Sequence, residues 1–467
     1  MQVNAEFVRP GDLFVPRRRG DMSFEHQFQL AVRRGAGAIA TTVPMERMPL
    51  PQLVFTDMAL RVPKLAAHVH GDPSESIDVV GVTGTDGKTT VTWLVDSILR
   101  AAGRRSAVAG TIGVRLDGRP LTVDQAGAAM AADLHRLLGE LVDLDVDALS
   151  IEVTSTSLHG HHADACRFAV TAFTNLAHEH LDVHGSMENY FETKATLFDE
   201  RSEHGVVVVD GSWGRRLAER LDHDGRTTVS CDPDGDADLR ATDIELHGDR
   251  CRFSAIGLGL RAAATSIELP VTGRHNVSNA LVAAACARVL GVRTEDIVAG
   301  LASAIMPPGR LERVPTGKDE PTVYVDFAHT PQGIGAAVRA GRATAGGRVI
   351  VVVGAGGDRD RTKRTDMGAA ASDADLVYVT SDNPRSEDPA RITSEVARGV
   401  EVGSAEVVEE PDRRLAITRA IEVAEAGDVV LLLGKGHERT LTQAGESTPF
   451  DDRVVATEAL EARRSPG

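Results

Sequence analysis

The residues best suited to chemistry in this chain form one run, Gly81-Val-Thr-Gly-Thr-Asp-Gly-Lys-Thr-Thr90. Where a strand hands over to a helix through such a turn, free backbone N–H groups and the positive end of the helix dipole converge on an anion. Gly84 and Gly87 allow close approach of the backbone to phosphates, and Lys88 is placed to reach the terminal ones. The Thr89 hydroxyl suits a magnesium ion, and Thr85, Asp86 and Thr90 complete the cradle. The spacing departs from GxxxxGK[ST], because Val82 stands where the first glycine of that pattern falls. The working unit is therefore the shorter Gly84-x-x-Gly87-Lys88-Thr89, which predicts a nucleoside triphosphate site.

A β-branched run, Ile77 to Thr83, must deliver this turn, and Trp93, Leu94, Ile98 and Leu99 give the following segment helical spacing. Around them the chain divides into three α/β units. Residues 1–76 read as a small α/β unit: a turn and strand at Pro10 to Val15, a helix at Phe24 to Arg34, a strand at Gly37 to Thr42 and a helix at Met58 to Val69. Residues 77–305 repeat a βαβ pattern, with strands at 78–83, 148–153, 169–174 and 205–209 and helices at 90–102 and 133–143. Continuous apolar strands separated by helices predict a P-loop-type parallel sheet covered on both faces. Residues 230–270 alternate and turn more, which predicts an antiparallel appendage, and an alanine-rich helix follows through Leu290. Pro307-Pro-Gly309 marks a hinge into residues 306–467, a second, Rossmann-like doubly wound unit with strands at 322–327, 348–354, 376–380 and 428–433. Loops at the carboxyl ends of these strands are where ligands bind in such sheets.

Composition limits the partners. The 467 residues carry a net charge of −17, which argues against nucleic acid or an anionic membrane as the partner surface. Cys166, Cys231, Cys251 and Cys286 show no CxxC spacing and read as free thiols of a reducing cytoplasm. No run reaches the ~18 apolar residues of a membrane span. A cytoplasmic monomer or weak oligomer acting on small molecules is the expectation.

Three further residues stand where chemistry is possible. Glu152 ends the strand Ile151-Glu-Val, a position that faces the phosphate loop in a doubly wound sheet. His180 follows another strand in Phe173-Thr-Asn-Leu-Ala-His-Glu-His-Leu-Asp, and Lys194 lies 14 residues later in a segment with a helical pattern. His159, His161 and His162 cluster, but no ligand set completes a metal site there apart from Asp164, and a solvated loop is the simpler reading.

The runs TGTDGKTT, EVTSTSL, FTNLAHEHLDVHGSMENYFETKATLF, GRHNVSNAL, PGRLERV, VDFAHTP, GGDRDRTKR, SDNPR and LLLGKGHE occur in this order between residues 81 and 438. Together they resemble the Mur ligase family, in the MurE branch that adds the third amino acid of the peptidoglycan stem to UDP-N-acetylmuramoyl-dipeptide. The resemblance implies an ADP-forming ligase: ATP phosphorylates a carboxylate, an amine attacks the acyl phosphate, and phosphate leaves. It implies ATP and two Mg²⁺ ions, with Thr89, Glu152, His180 and Lys194 as metal ligands and a carbamate on Lys194. Lys88, Glu152, His180 and Lys194 then form the catalytic set. Asn276 and Asn279 match adenine-side positions, while Arg310, Asp326 and His329 match residues closing over ribose and phosphates. Arg359, Asp382, Asn383, Arg385, Gly434 and Glu438 match a reader for a zwitterionic amino acid such as meso-diaminopimelate, an arginine fork for carboxylate and a glutamate for ammonium. Residues 1–76 would take the UDP end of the donor, 77–305 the ATP and 306–467 the amino acid.

The departures fall on the donor side, where Thr154, Ser155 and His161 are the matching positions. The family's Thr-Thr-Pro-type run is Gln125-Ala-Gly-Ala-Ala-Met-Ala-Ala132 here, its N-terminal Asp-Ser-Arg is Asn4-Ala-Glu-Phe, its histidine after EVTS is Thr156, and its donor arginine aligns with His161. These departures admit a ligase with the usual donor or one with another carboxylate in a specialised pathway, while SDNPR and GKGHE argue against folylpolyglutamate-like and cyanophycin-like ligases. A P-loop switch or a non-catalytic paralogue is the reading from a different class.

Overall fold

The computed structural model describes residues 1–16, 23–122, 130–199, 201–221, 225–232, 235–259 and 264–464. The N-terminal part carries a parallel sheet of Leu13–Phe14, Ala38–Thr41 and Gln52–Val54. Helix Phe24–Arg33 begins where the Ser23 hydroxyl accepts from the His26 N–H, and helix Met58–Val69 begins at Asp57 in the same way. Phe14 and Phe28 meet edge to face at 5.9 Å in the small core beneath them. The strand Gln52–Val54 has no sequence signal, since it is short and half to fully exposed.

Among the described residues, the central sheet has eleven strands. Its order is Thr265–Leu269, Cys251–Ile256, Leu239–Leu246, Arg226–Ser230, Gly205–Val208, Val170–Phe173, Asp78–Thr83, Ala148–Glu152, Ser106–Gly110, Gly113–Leu116 and Arg119–Pro120. The middle strands pair in parallel and the outer pairs are antiparallel at both edges. The predicted parallel core and antiparallel appendage are thus present, joined into one sheet. Asp78–Thr83 lies at its centre, buried from Val79 onward, with Val80 and Val82 packed under helices Lys88–Ala101 and Arg274–Val289. Ser106–Gly110 was not anticipated; its Ser-Ala-Val-Ala-Gly composition is poor in strand formers, and burial between neighbours decides its conformation.

The C-terminal sheet runs Glu312–Val314, Thr322–Asp326, Val429–Leu433, Val349–Ala355, Leu376–Ser381 and Glu406–Glu409, parallel except for the first pair. All four predicted strands are there. The carboxyl end of this sheet faces that of the central one: Arg310 donates to Thr89 Oγ1 at 3.1 Å and Thr330 to Asp86 Oδ2 at 3.0 Å. No helix among the described residues is long and apolar enough to cross a membrane.

Candidate active site

A cavity of about 600 Å³ opens between the two facing sheet ends, within the size range of small-molecule sites. Residues 85–90 of the phosphate loop line it, with Glu152, Thr154, His180, Asn276, Asn279, Arg310, Asp326 and His329. Two glycines are required by geometry. Gly84 has φ +143, and a Cβ there would lie 1.9 Å from Thr174 Oγ1; Gly87 has φ +90, and a Cβ would lie 2.4 Å from Asn279 Oδ1. The loop is held from beneath: Asp86 N–H donates to Asn175 Oδ1 at 3.0 Å, and Thr174 Oγ1 donates to Asp86 O at 2.6 Å. Lys88 Nζ donates to Gly84 O at 3.0 Å and Thr85 O at 2.8 Å, so the loop's own carbonyls aim its ammonium.

Glu152 stands at the end of its strand, both oxygens accepting from Thr111 at 3.0 Å. His180 has φ +55, and burial draws its imidazole below the ordinary value against the pull of Glu179, leaving a lone pair available at neutral pH. Lys194 is buried behind the loop rather than in the cavity lining; its Nζ donates to Gly84 O at 2.9 Å and lies 4.6 Å from the Tyr190 ring centre. Burial first, then the neighbouring Lys88, hold this amine well below the usual lysine range. Among the described residues, no three His, Cys, Asp or Glu side chains converge on a cation position. A hydroxyl, a carboxylate and a neutral imidazole around one phosphate loop nevertheless form a donor set that suits magnesium when phosphate oxygens complete it.

Asn276 and Asn279, one helical turn apart, are tied by a 3.2 Å bond, and Asn276 is anchored to Thr272 O at 2.8 Å. Asp326 accepts from Leu311 N at 2.6 Å and Ala328 N at 2.7 Å and so shapes the turn that presents Arg310. The Arg310 guanidinium lies over the Phe327 ring at 4.5 Å.

A second polar group forms at the end of the C-terminal sheet. Asn383 Nδ2 donates to Glu438 Oε2 at 2.7 Å and to Asp382 Oδ1 at 3.2 Å. Lys435, fully buried, donates to Asn383 Oδ1 at 3.2 Å and Glu438 Oε2 at 3.1 Å and lies 3.5 Å from Asp382. Arg385, at φ +53, donates to Gly357 O, and Gly434 packs beside Asp382. Arg359 is exposed in the loop after Val349–Ala355. Lys435 was missed by the sequence reading although it lies inside GKGHE; only its burial between two acids marks it.

The donor-side residues do not converge. Thr154 lines the cavity and caps helix Ser155–His159, but its hydroxyl is shared with Thr156 at 2.9 Å. Ser155 is buried against His184 Nε2 at 2.9 Å, and His161 bonds Asp164, which in turn holds Arg201. Asn4 caps its own 3₁₀ turn. Of Gln125 to Ala132, residues 125–129 lie outside the described residues.

A glycine-rich loop with a lysine faces a buried cluster of acid, amide and lysine side chains across the ends of two α/β sheets, the arrangement of a ligase fold. Residues 82–287 match the Mur ligase middle domain and residues 309–436 the Mur ligase, glutamate ligase domain. The chain belongs to the Mur ligase family. A relative from Gloeobacter violaceus, named UDP-N-acetylmuramoyl-L-alanyl-D-glutamate--2,6-diaminopimelate ligase, is 38% identical, covering 100% of this chain and 94% of its own. A solved structure of an enzyme with that name superimposes with a TM-score of 0.65 at 27% identity, covering 100% of this chain and 95% of its own. The MurF ligase of Thermotoga maritima in complex with ADP shares the fold, with a TM-score of 0.70 at 19% identity over 99% of this chain and 98% of its own.

Proposed function

We propose that this protein is an ATP-dependent, ADP-forming ligase that joins meso-diaminopimelate to the D-glutamyl carboxylate of UDP-N-acetylmuramoyl-L-alanyl-D-glutamate. The observation that carries this reading is the placing of the phosphate loop and the Asn383–Lys435–Glu438 group at the facing ends of two sheets. In the reaction, the donor carboxylate attacks the γ-phosphorus of ATP and ADP leaves. The amine nitrogen then attacks the acyl carbon, loses a proton and expels inorganic phosphate. Lys88 and the loop N–H groups neutralise the crowded phosphates, which is where such enzymes gain most. Arg310 and His329 line the cavity from the C-terminal side, and Asn276 and Asn279, in the same lining, are the residues to meet the base.

Thr89, Glu152 and His180 are the residues to hold magnesium, which when bound supplies a counter-charge for the transferring phosphoryl group. Lys194 has the character a carbamate requires, a buried amine whose balance is shifted toward the neutral form, since only the neutral form takes up CO₂. Residues 1–76, 77–305 and 306–467 divide the work as donor, ATP and amino-acid units in a cytoplasmic monomer or weak oligomer.

A second reading, another acyl donor, is favoured by the internal bonding of Ser155 and His161. Phosphate release from ATP with meso-diaminopimelate, with and without UDP-N-acetylmuramoyl-L-Ala-D-Glu, separates the two. Release that needs that donor supports the first reading. Protein that binds ATP yet releases nothing with it points to a different carboxylate.

A further inference from the structure

Two side chains without a role so far, Glu179 and Lys363, meet in the cleft with His329 of the cavity lining. Glu179 lies in the loop between strand Val170–Phe173 and helix Leu181–His184 of the central unit, and its residue is only 6% exposed. One carboxylate oxygen, Oε1, lies 3.0 Å from His329 Nε2 and 3.0 Å from Lys363 Nζ. Both partners belong to the C-terminal unit. His329 follows strand Thr322–Asp326, and Lys363 closes the loop after Val349–Ala355, immediately before helix Arg364–Ala371. A single buried anion thus gathers two strand ends of one sheet onto a loop of the other. Its neighbour His178 adds a 3.2 Å contact to Thr362 Oγ1.

We propose that Glu179 is a positioning residue whose carboxylate holds His329 and Lys363 against the phosphate-loop side and so closes the cleft. The physical reason is charge. An ammonium and an imidazole that can be cationic share one oxygen, and without its negative charge they repel each other at close range in a water-poor site. The other cross-cleft hydrogen bonds, Thr330 to Asp86 and Arg310 to Thr89, each join one charged group to a hydroxyl, so they fix alignment without setting a counter-charge against Lys363 and His329. The kinetic consequence rests on the ligase reading: ATP on one unit and amino acid on the other react only when the cleft is closed, so Glu179 governs kcat more than either KM.

The test compares wild type, Glu179→Gln and Glu179→Asp. Small-angle X-ray scattering of the nucleotide-free protein is expected to show expansion for Glu179→Gln. Its kcat for amine-dependent phosphate release is expected to fall about 100-fold, with KM for the amino acid changing less than about threefold. Glu179→Asp, which keeps the charge, is expected to restore compactness and at least a tenth of wild-type kcat. Lys363→Glu sets like charges face to face from the other side and is expected to open the molecule too, so an unstable Glu179 variant leaves the test intact. A Glu179→Gln protein as compact as wild type, or with kcat within threefold of it, overturns the proposal, as does an aspartate variant no better than glutamine. Failure of the ligase reading is recognised separately: wild type then releases no phosphate with amine and donor, while the scattering comparison still decides the role of Glu179.

Discussion

The phosphate-loop end of the central sheet and the helix that follows Glu152 lie side by side, yet they are built on opposite plans. At the phosphate loop, internal bonds aim groups into the cavity: Gly84 and Thr85 carbonyls direct Lys88, Asn175 braces Asp86, and Gly84 also receives Lys194. In the segment from Thr154 to Asp164, internal bonds consume the groups: Ser155 on His184, Thr154 on Thr156, His161 on Asp164. The first region is pre-organised for a ligand. The second is organised for itself, and a donor must be recognised mainly by other parts of the chain or by rearranging this one. A hydrogen bond already satisfied inside a loop gives little net gain when exchanged for one to a ligand.

Removing Lys194 is the hardest blow to the organised side. Lys194→Ala is expected to lower phosphate release by about 1,000-fold or more, in keeping with the loss of a central charge-stabilising group. Short carboxylic acids supplied in solution are expected to restore part of it. Full activity without them would break the comparison, because the loop would then owe nothing to the residue behind it.

An intermediate effect concerns acid. Burial, and then Arg310, draw His437 down to about 4, so the folded protein keeps it neutral while the unfolded chain protonates near 6.5. The unfolded state therefore binds more protons between these values, and stability is full above about 6.5 and falls as pH drops toward 4. The loss is on the order of 2–3 kcal/mol, read from urea unfolding across that range. His437→Gln is expected to flatten the slope; an unchanged slope would remove the imidazole, packed on Phe327 at 5.0 Å, as its source.

The smallest effect is expected where groups are self-satisfied. His161 is partly exposed and its pairing with Asp164 is worth no more than about 1 kcal/mol. His161→Ala is expected to change the donor KM by less than about threefold. A tenfold rise would show that the imidazole leaves Asp164 to bind the donor, and the contrast between the two regions would be sharpened into a conformational one.

Much of this was legible beforehand. The strand into Gly84, the helix from Lys88 and the four main C-terminal strands all appear within a few residues of their expected limits. Long apolar runs and glycine–lysine turns encode these locally. Short edge pieces such as Gln52–Val54 and Glu406–Glu409 were not legible, because neighbouring strands, not their own composition, make them strands. Likewise, Glu179 and Lys363 were both inside quoted runs, yet nothing in a linear pattern shows that residues 184 positions apart share a contact of 3.0 Å.

The sequence by itself determined the class of chemistry, since a phosphate cradle needs glycines, a lysine and a hydroxyl within a few consecutive residues, and the runs that mark the ligase family lie in order along the chain. Only the tertiary structure decided which side chains are free to act. Burial turns Lys194 toward the neutral amine, places Lys435 between Asp382 and Glu438, and withdraws Ser155 and His161 into their own segment. Those outcomes depend on distance and dielectric between groups remote in the chain, and such quantities exist only once the two sheets face each other.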